Sequence, residues 1–395
     1  MKIDFLYIAR GKLHLKLDGA PFRIVDSEFG KATQERVLQI QRRNIFRDRG
    51  MMANRIPEPM LKQMEERANT ATPINFTSAC CDNLGKVYYA IQIGEVAGIF
   101  TLDSDRIVEK RLYHGSDFLI RYLDVNSSEG TIACAAEHQD GTANIATMPV
   151  MGAKPHEITE GDSLDLAPSW IRHKPKALVY QSAGIARNRE GYAFDRSPFR
   201  IEELDFKSQA ITCLAEDPNY DFLEPKMTED GKLYYIRRPY KPRKEQIDIW
   251  TILKDLLLLP LRLANTFYQI LNFFAVTFTG KPLMKVGEAK PENNQQELKI
   301  WGELIDLHKL SKEKNHKEDK HSGLVPKSWQ LIARTTDGIE TEVANGVLYY
   351  DLAADGSILY TNGNRVYCLA NNNNTPEQVL DGEFIEQLAL LNIEH

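Results

Sequence analysis

The chain has 395 residues, 43% of them hydrophobic and 26% charged, an ordinary globular composition with material for one large core or two smaller ones. Its 55 acidic and 49 basic residues leave a formal net charge of −6, which excludes a general nucleic-acid binder, since phosphate neutralisation needs a surplus of Lys and Arg. The five cysteines, Cys80, Cys81, Cys134, Cys213 and Cys368, lack zinc spacing, and the adjacent pair is badly placed for a mutual bridge, so reduced core residues are expected.

In chain order, the N-terminal MKIDFLYIARGKLHLKL enters alternating apolar residues at once. It has no long apolar core or small-residue cleavage site, and a cytoplasmic chain is expected. DFLYIAR, from Asp4, is the first instance of a recurring pattern: a polar or Asp-Gly turn, then a strand of β-branched and aromatic residues. From 27 to 72 the pattern is interrupted. KATQERVLQIQRRNIFRDRG places Val37, Ile40, Asn44 and Arg47 near one helical face with Leu38, Gln41 and Ile45 alongside, and EPMLKQMEERA predicts a second short helix. This segment reads as a helical cap over one face of the fold or as a partner-recognition arm.

The pattern resumes as GKVYYAI from Gly85, GTIACAA from Gly130, KALVYQS from Lys176, GKLYYIR from Gly231 and GSILYTN from Gly356. Equivalent strands start at 86, 131, 176, 232 and 357, at intervals of 45, 45, 56 and 125 residues, and wrapping from 357 past the C-terminus to 5 gives 43. A period near 45 is a propeller-blade length. Asp230-Gly231 and Asp355-Gly356 tolerate the positive φ that a tight hairpin demands. The terminal EFIEQLALLN lacks a hairpin partner, while the chain begins with strands that lack a first. Joining both ends in one sheet completes six blades and removes exposed edges.

One repeat carries a family pattern. DLAPSWIRHKPKALVYQS resembles the repeat of the TolB-like, or PD40, β-propellers, in which an Asp, a Pro-Ser-Trp and an Asp-Gly-Lys turn precede an apolar strand; Asp165, Pro168, Ser169, Trp170, Leu178, Val179 and Ser182 match. In YDFLEPKMTEDGKLYYIRR, Asp221, Pro225 and the turn Asp230-Gly231-Lys232 are kept, but Lys226 and Met227 stand where Ser and Trp would. The resemblance covers about two-thirds of the chain and implies a six-bladed binding platform without a shared catalytic set. The fold expected is therefore all-β, with residues 1–245 and 326–395 forming the propeller and 246–325 a helical hydrophobic insertion inside one blade.

That insertion explains the 125-residue interval. LLLLPLRLANTFYQILNFFAVTF, Leu256 to Phe278, carries one charge, Arg262, and its polar residues Arg262, Asn265, Gln269 and Asn272 form a narrow helical stripe. The run is long enough to span a bilayer, but the chain must return to the blade it left, and the rest of the insertion supplies no second apolar run. A pair of in-plane or re-entrant helices is predicted, docking through Trp250, Leu253, Leu256, Leu257, Phe267, Ile270, Leu271 and Phe274. The basic flank Arg237, Arg238, Lys241, Arg243, Lys244 and Lys281 suits an anionic membrane surface, each charge contributing about 1 kcal/mol, with Tyr240 as an interfacial aromatic. A protein socket or homo-oligomer is the second target, and folding back on the propeller the third. Next, ELKIWGELIDLHKL reads as an amphipathic helix with Leu298, Trp301, Leu304 or Ile305, and His308 at helical spacing. The charged tract holding His316 and His321 has nothing to orient a metal site.

No nucleophile elbow, phosphate loop, zinc-helix pair or dinucleotide fingerprint occurs. His138, Asp140, His173 and Asp165 are catalytic candidates by type alone. Channel-facing carboxylates around a divalent cation would instead mark a propeller hydrolase. The sequence thus predicts a non-enzymatic binding scaffold without cofactor or metal, cytoplasmic or peripheral on the inner face of a membrane, with a protein partner.

Overall fold

The structure, a computed structural model, describes residues 3–17, 21–52, 71–103, 108–242, 297–300, 303–306, 323–371 and 375–391. The chain divides into one unit of Met1–Gln41, Thr70–Pro242 and Asp319–His395, and a second of Arg42–Asn69 and Arg243–Glu318.

In the first unit, β1 (Phe5–Ala9) and β2 (Lys12–Lys16) form a hairpin, turning at Arg10 and Gly11 with φ of +51° and +68°, and β3 (Arg23–Ile24) adds to β2. The helix α1 (Glu28–Met52) starts at a cap: Ser27 Oγ accepts from the Gly30 N–H at 2.9 Å, and Glu109 accepts from the Phe29 N–H at 2.9 Å. Both bonds satisfy first-turn donors that have no intrahelical partner. Phe29 packs on Phe100 and His114, and this anchor sets the helix rotation. Gly30 and Thr33 turn inward and Val37 and Leu38 are half-buried, whereas Ile40 is 57% exposed, so the predicted grouping of Val37 with Ile40 does not hold. The second predicted helix lies outside the described residues.

The strands that follow form antiparallel groups of four. They are β4 (Asn75–Cys81), β5 (Val87–Ile93), β6 (Val96–Leu102) and β7 (Glu109–Gly115), then β8 (Leu119–Asn126), β9 (Thr131–Glu137), β10 (Ala143–Pro149) and the short β11 (His156–Glu157). The next group is β12 (Ser163–Trp170), β13 (Ala177–Arg187), β15 (Arg200–Asp205) and β16 (Ala210–Ala215), with β14 (Ala193–Arg196) paired to the far end of β13. A single parallel pair, Ala143 with Leu164, links β10 to β12 and fuses these two groups into one nine-stranded sheet.

β17 (Tyr220–Met227) and β18 (Leu233–Pro239) continue directly into β21 (Gln330–Arg334) and β22 (Glu340–Asn345), although about 90 residues of sequence separate β18 from β21. Between them, in the second unit, lies the hairpin β19 (Glu297–Ile300) and β20 (Glu303–Asp306), with Leu298 opposite Ile305. The helix predicted over this stretch is thereby corrected: Gly302, which separates the two strands, costs about 1 kcal/mol in a helix interior and suits a hairpin connection. The last group is β23 (Tyr349–Leu352), β24 (Ile358–Thr361), β25 (Arg365–Leu369) and β26 (Glu377–Asp381). Finally β27 (Ile385–Leu390) pairs antiparallel with β1, Phe5 opposite Leu390, making the four-stranded sheet β27-β1-β2-β3.

The repeated sequence pattern is one element in every group: β1, β5, β9, β13, β18 and β24 each occupy the second place. Sheets pack face to face through these strands. Leu6, Ile8 and Leu13 meet Val87, Tyr89 and Ile91, while Val179 and Ile201 meet Phe222 and Tyr235. Asp230-Gly231 and Asp355-Gly356 turn at glycine φ of +80° and +83°. α1 is the only helix among the described residues, and none of those residues form a helix long and apolar enough to cross a membrane.

Candidate functional site

The site is made by the first strand of each group. β8 shifts register between Arg121 and Asp124, β12 between Leu166 and Ser169, and β17 between Leu223 and Lys226. At each shift a residue other than glycine takes positive φ: Tyr122 (+55°), Ala167 (+51°) and Glu224 (+52°). Bulges of this kind re-aim the side chains that follow them. Leu123 and Asp124, Pro168 and Ser169, and Pro225 and Lys226 are brought to one central cavity of about 80 Å³, with Cys80 from β4, Asp351 from β23 and Leu388 from β27.

Hydrogen bonds link these strands in succession. Gln387 of β27 accepts from the Ala79 N–H of β4 at 3.0 Å, and Ser78 of β4 accepts from the Leu123 N–H of β8 at 2.8 Å. Asp124 accepts from the Trp170 N–H of β12 at 2.7 Å, and Gln181 of β13 accepts from the Glu224 N–H of β17 at 2.8 Å. The Glu224 carbonyl accepts from the Tyr350 hydroxyl of β23 at 2.6 Å, and Asp351 accepts from the Leu390 N–H of β27 at 2.8 Å, where the series began. Both bonding groups of most links are buried, where an unmade hydrogen bond costs about 1–3 kcal/mol.

Asp124, Glu224, Lys226 and Asp351 meet in the cavity. Lys226 Nζ lies 2.6 Å from Asp351 Oδ1, their side chains 20% and 19% exposed. Burial works to lower Lys226, but Asp351, Asp124 and Glu224 together hold its pKa above the ordinary value. Asp124 is pushed up by burial, which outweighs the charge of Lys226 and its backbone donors. Glu224 is 4% exposed, its Oε1 has no hydrogen-bond partner, and burial pushes its carboxyl up to about 8 against the pull of Lys226. Burial, then the charge of Asp124, pushes the Cys80 thiol well up, so it is no thiolate nucleophile at neutral pH. Arg172, exposed, lines the same cavity. No His, Cys, Asp and Glu side chains among the described residues group as metal ligands.

No protein-family model matches the sequence, and no curated protein sequence does. Among solved structures, TolB from Acinetobacter baumannii superposes with a TM-score of 0.50 at 11% identity, over 99% of this chain and 66% of that one. The chain has the fold of a TolB-like β-propeller. Putative TolB from Agrobacterium tumefaciens is similar over 80% of the chain and 86% of its own at a TM-score of 0.43 and 12% identity. The tricorn protease is similar over 98% of the chain and 34% of its own at 0.47 and 11%. The chain thus spans just under two-thirds of the length of the first of these proteins.

In this propeller the catalytic candidates stand apart from the cavity, and only His138 and Asp140, which share one turn, lie near each other. His138 Nε2 lies 2.9 Å from Glu157, Asp140 caps its own turn through Thr142, and exposed His173 bonds the Thr228 carbonyl at 3.2 Å. Buried Asp165 accepts from Ser182 at 2.7 Å. The basic flank is divided. Arg238 is fully buried, its Nε 2.9 Å from Asp221 and its guanidinium stacked over Trp329, so it is withdrawn from any surface. Arg237 bonds Glu340 at 3.1 Å and Gln330 at 3.0 Å; Lys241 is exposed; Tyr240 donates to the Arg196 carbonyl. Arg243, Lys244 and Lys281 lie outside the described residues, as do Trp250, Leu253, Leu256, Leu257, Phe267, Ile270, Leu271 and Phe274. Of the cysteines, Cys80, Cys134 and Cys368 are buried and all five are free thiols.

Asp124, Glu224, Lys226 and Asp351 were not legible as a site. One signal pointed to two of them: Pro168 and Pro225 fall inside strands, where proline marks a bulge, and Lys226 replaces the serine of the family pattern just after it.

Proposed function

We propose that the chain is a non-enzymatic six-bladed propeller scaffold whose ring is completed by β27 in the sheet of β1, β2 and β3. The observation that carries this reading is the succession of hydrogen bonds from sheet to sheet, from β27 by way of β4, β8, β12 with its hairpin partner β13, β17 and β23 back to β27. Counting the fused sheet as two gives six linked groups. A rigid platform with each blade tied to the next presents loops on two faces for a protein partner. Deleting 383–395 tests the ring. The deletion removes Ile385, Leu388, Leu390 and Leu391 from the core, each contributing about 1.5–3 kcal/mol, a total comparable with the whole stability of a domain. Loss of cooperative thermal unfolding is expected, and an unchanged midpoint refutes the closed ring.

The insertion between β18 and β21 is assigned the docking role, on the inner face of a membrane, because an apolar run of 23 residues with one charge is unlike any surface left in water. A second reading, docking into a larger protein assembly or a second copy, gains from the burial of Arg238 and the engagement of Arg237, which thin the basic flank to Lys241, Arg243, Lys244 and Lys281. Flotation with anionic vesicles at low and high salt, beside light scattering, decides. Charge reversal of Lys241, Arg243 and Lys244 weakens a membrane contact, as does screening to about 3 Å at 1 M salt. For a protein socket, Leu257→Asp abolishes assembly and salt has little effect.

A further inference from the structure

We propose that β16 is a dimerisation edge: two copies of the chain pair their β16 strands antiparallel about a two-fold axis at Thr212, so that the sheet of one continues into the sheet of the other. This goes beyond the scaffold reading and uses no residue of the insertion.

A contrast among the outermost strands leads there. A strand paired on one side only offers a row of backbone donors and acceptors to another chain, and proteins shield such edges with charge or keep them short. β7 (EKRLYHG) carries three charges, β22 (ETEVAN) and β26 (EQVLD) carry two each, and β3 and β11 are two residues long. β16 (AITCLA) has neither protection: it is six residues long, carries no charge and pairs with β15 alone among the described residues. Each of the four long outer strands has one extra residue in its register, Leu112, Leu214, Val343 and Val379, so a bulge does not set β16 apart. Its own bulge follows Cys213 and leaves Ala210 to Cys213 regular. These four residues are all exposed, Ile211 by 55%. The Leu214 carbonyl accepts from Arg334 Nη1 at 2.7 Å, which pins the strand to β21 of another sheet and holds the edge in shape.

The ends of β16 decide what covers it. Exposed Lys207 lies five residues before Thr212, and exposed Glu216 and half-buried Asp217 lie four and five residues after it. An antiparallel pair centred on Thr212 therefore brings the Lys207 end of each copy to the acidic end of the other, two attractive contacts made by one sequence. Centring the axis on Ile211 or Cys213 moves Lys207 off this acidic pair. In the chosen register Ile211 of one copy also lies opposite Cys213 of the other on the same face, and this apolar contact is made twice.

Sedimentation equilibrium of the full chain from about 10 µM to about 1 mM tests the edge, a range set by a contact shorter than a standard-size interface. A monomer–dimer equilibrium is expected, and the same one in Leu257→Asp, since the insertion takes no part. Thr212 meets itself on the axis. Thr212→Lys and Thr212→Glu, at an exposed position where the thermal midpoint should not move, each place like charges together and are expected to weaken the dimer about tenfold or more. An equimolar mixture of the two is expected to recover the affinity of the unaltered chain, because lysine then faces glutamate. Lys207→Glu is expected to weaken the dimer about threefold to tenfold, and Glu216→Lys added to the same chain to restore it. A chain that stays monomeric to about 1 mM leaves the edge to a different protein and overturns the proposal. So does association that Leu257→Asp removes, which belongs to the insertion. Dimerisation untouched by Thr212→Lys, a mixture that recovers nothing, or an unchanged affinity in Lys207→Glu overturns it as well.

Discussion

Two buried carboxylates lie three residues apart on β17 and meet opposite fates. Asp221, fully buried, accepts from Arg196 at 2.7 and 2.8 Å, from Arg238 Nε at 2.9 Å and from the Phe199 N–H at 2.9 Å. Burial pushes its pKa up, but the Arg196 bonds and the charges of Arg238 and Arg196 hold it below the ordinary value. Glu224, just as hidden, has one unpartnered oxygen and a pKa near 8. Depth is the same, so partners decide whether a buried acid is a clamp or a titrating group. Asp221 ties β17 to the neighbouring sheet through Arg196; Glu224 lines the cavity between the first strands.

The largest test removes the clamp. Asp221→Asn leaves Arg238 buried without its counter-charge, and a loss of about 3–5 kcal/mol is expected in denaturant unfolding at pH 7. The sign with pH follows from the depressed pKa. The contribution of Asp221 is present above its unfolded value near 3.8 and is lost as pH falls through the lower folded value, so the variant and the unaltered chain converge in strong acid. A variant as stable as the original at pH 7 would erase the contrast.

Glu224→Gln is the mirror experiment. A raised carboxyl pKa stabilises the folded state fully below the unfolded value near 4.5, and that contribution is lost as pH rises through about 8. Glutamine removes this dependence, so above pH 8 the variant is expected to exceed the unaltered chain by a few kcal/mol, with little difference at pH 4. Thermal melts across pH 4 to 9 read the two slopes directly.

A smaller change sharpens the comparison. Lys226→Met deletes the one cation that pulls the Glu224 pKa down and leaves Asp351 with its backbone donors, Leu390 and Leu352. Because the ion pair is about one-fifth exposed, a loss of about 1–3 kcal/mol is expected at pH 7. The pH-dependent slope should also extend to higher pH, as the carboxyl loses its neighbouring charge. If the slope does not move, Glu224 is not the group that titrates.

The sequence by itself determined the strand groups and their period, because the second strand of each group is buried on both faces and has to be a run of β-branched and aromatic residues after a turn. Val87 to Ile93 and Ala177 to Ala183 are such runs. The sequence likewise marked the two ends as parts of one sheet, since EFIEQLALLN is apolar on one face and has no hairpin partner beside it. The first strands escaped because their bulges break the alternation and their polar residues face a cavity that exists only when all of them converge. Tertiary contact alone decided that Arg238, in a run of basic residues, is interior and that Ile40 faces out, since charge and periodicity fix neither depth nor rotation. It also decided which of two acids on β17 would find arginines, because Arg196 and Arg238 reach Asp221 from other strands, and distances between strands are not written in the spacing along one.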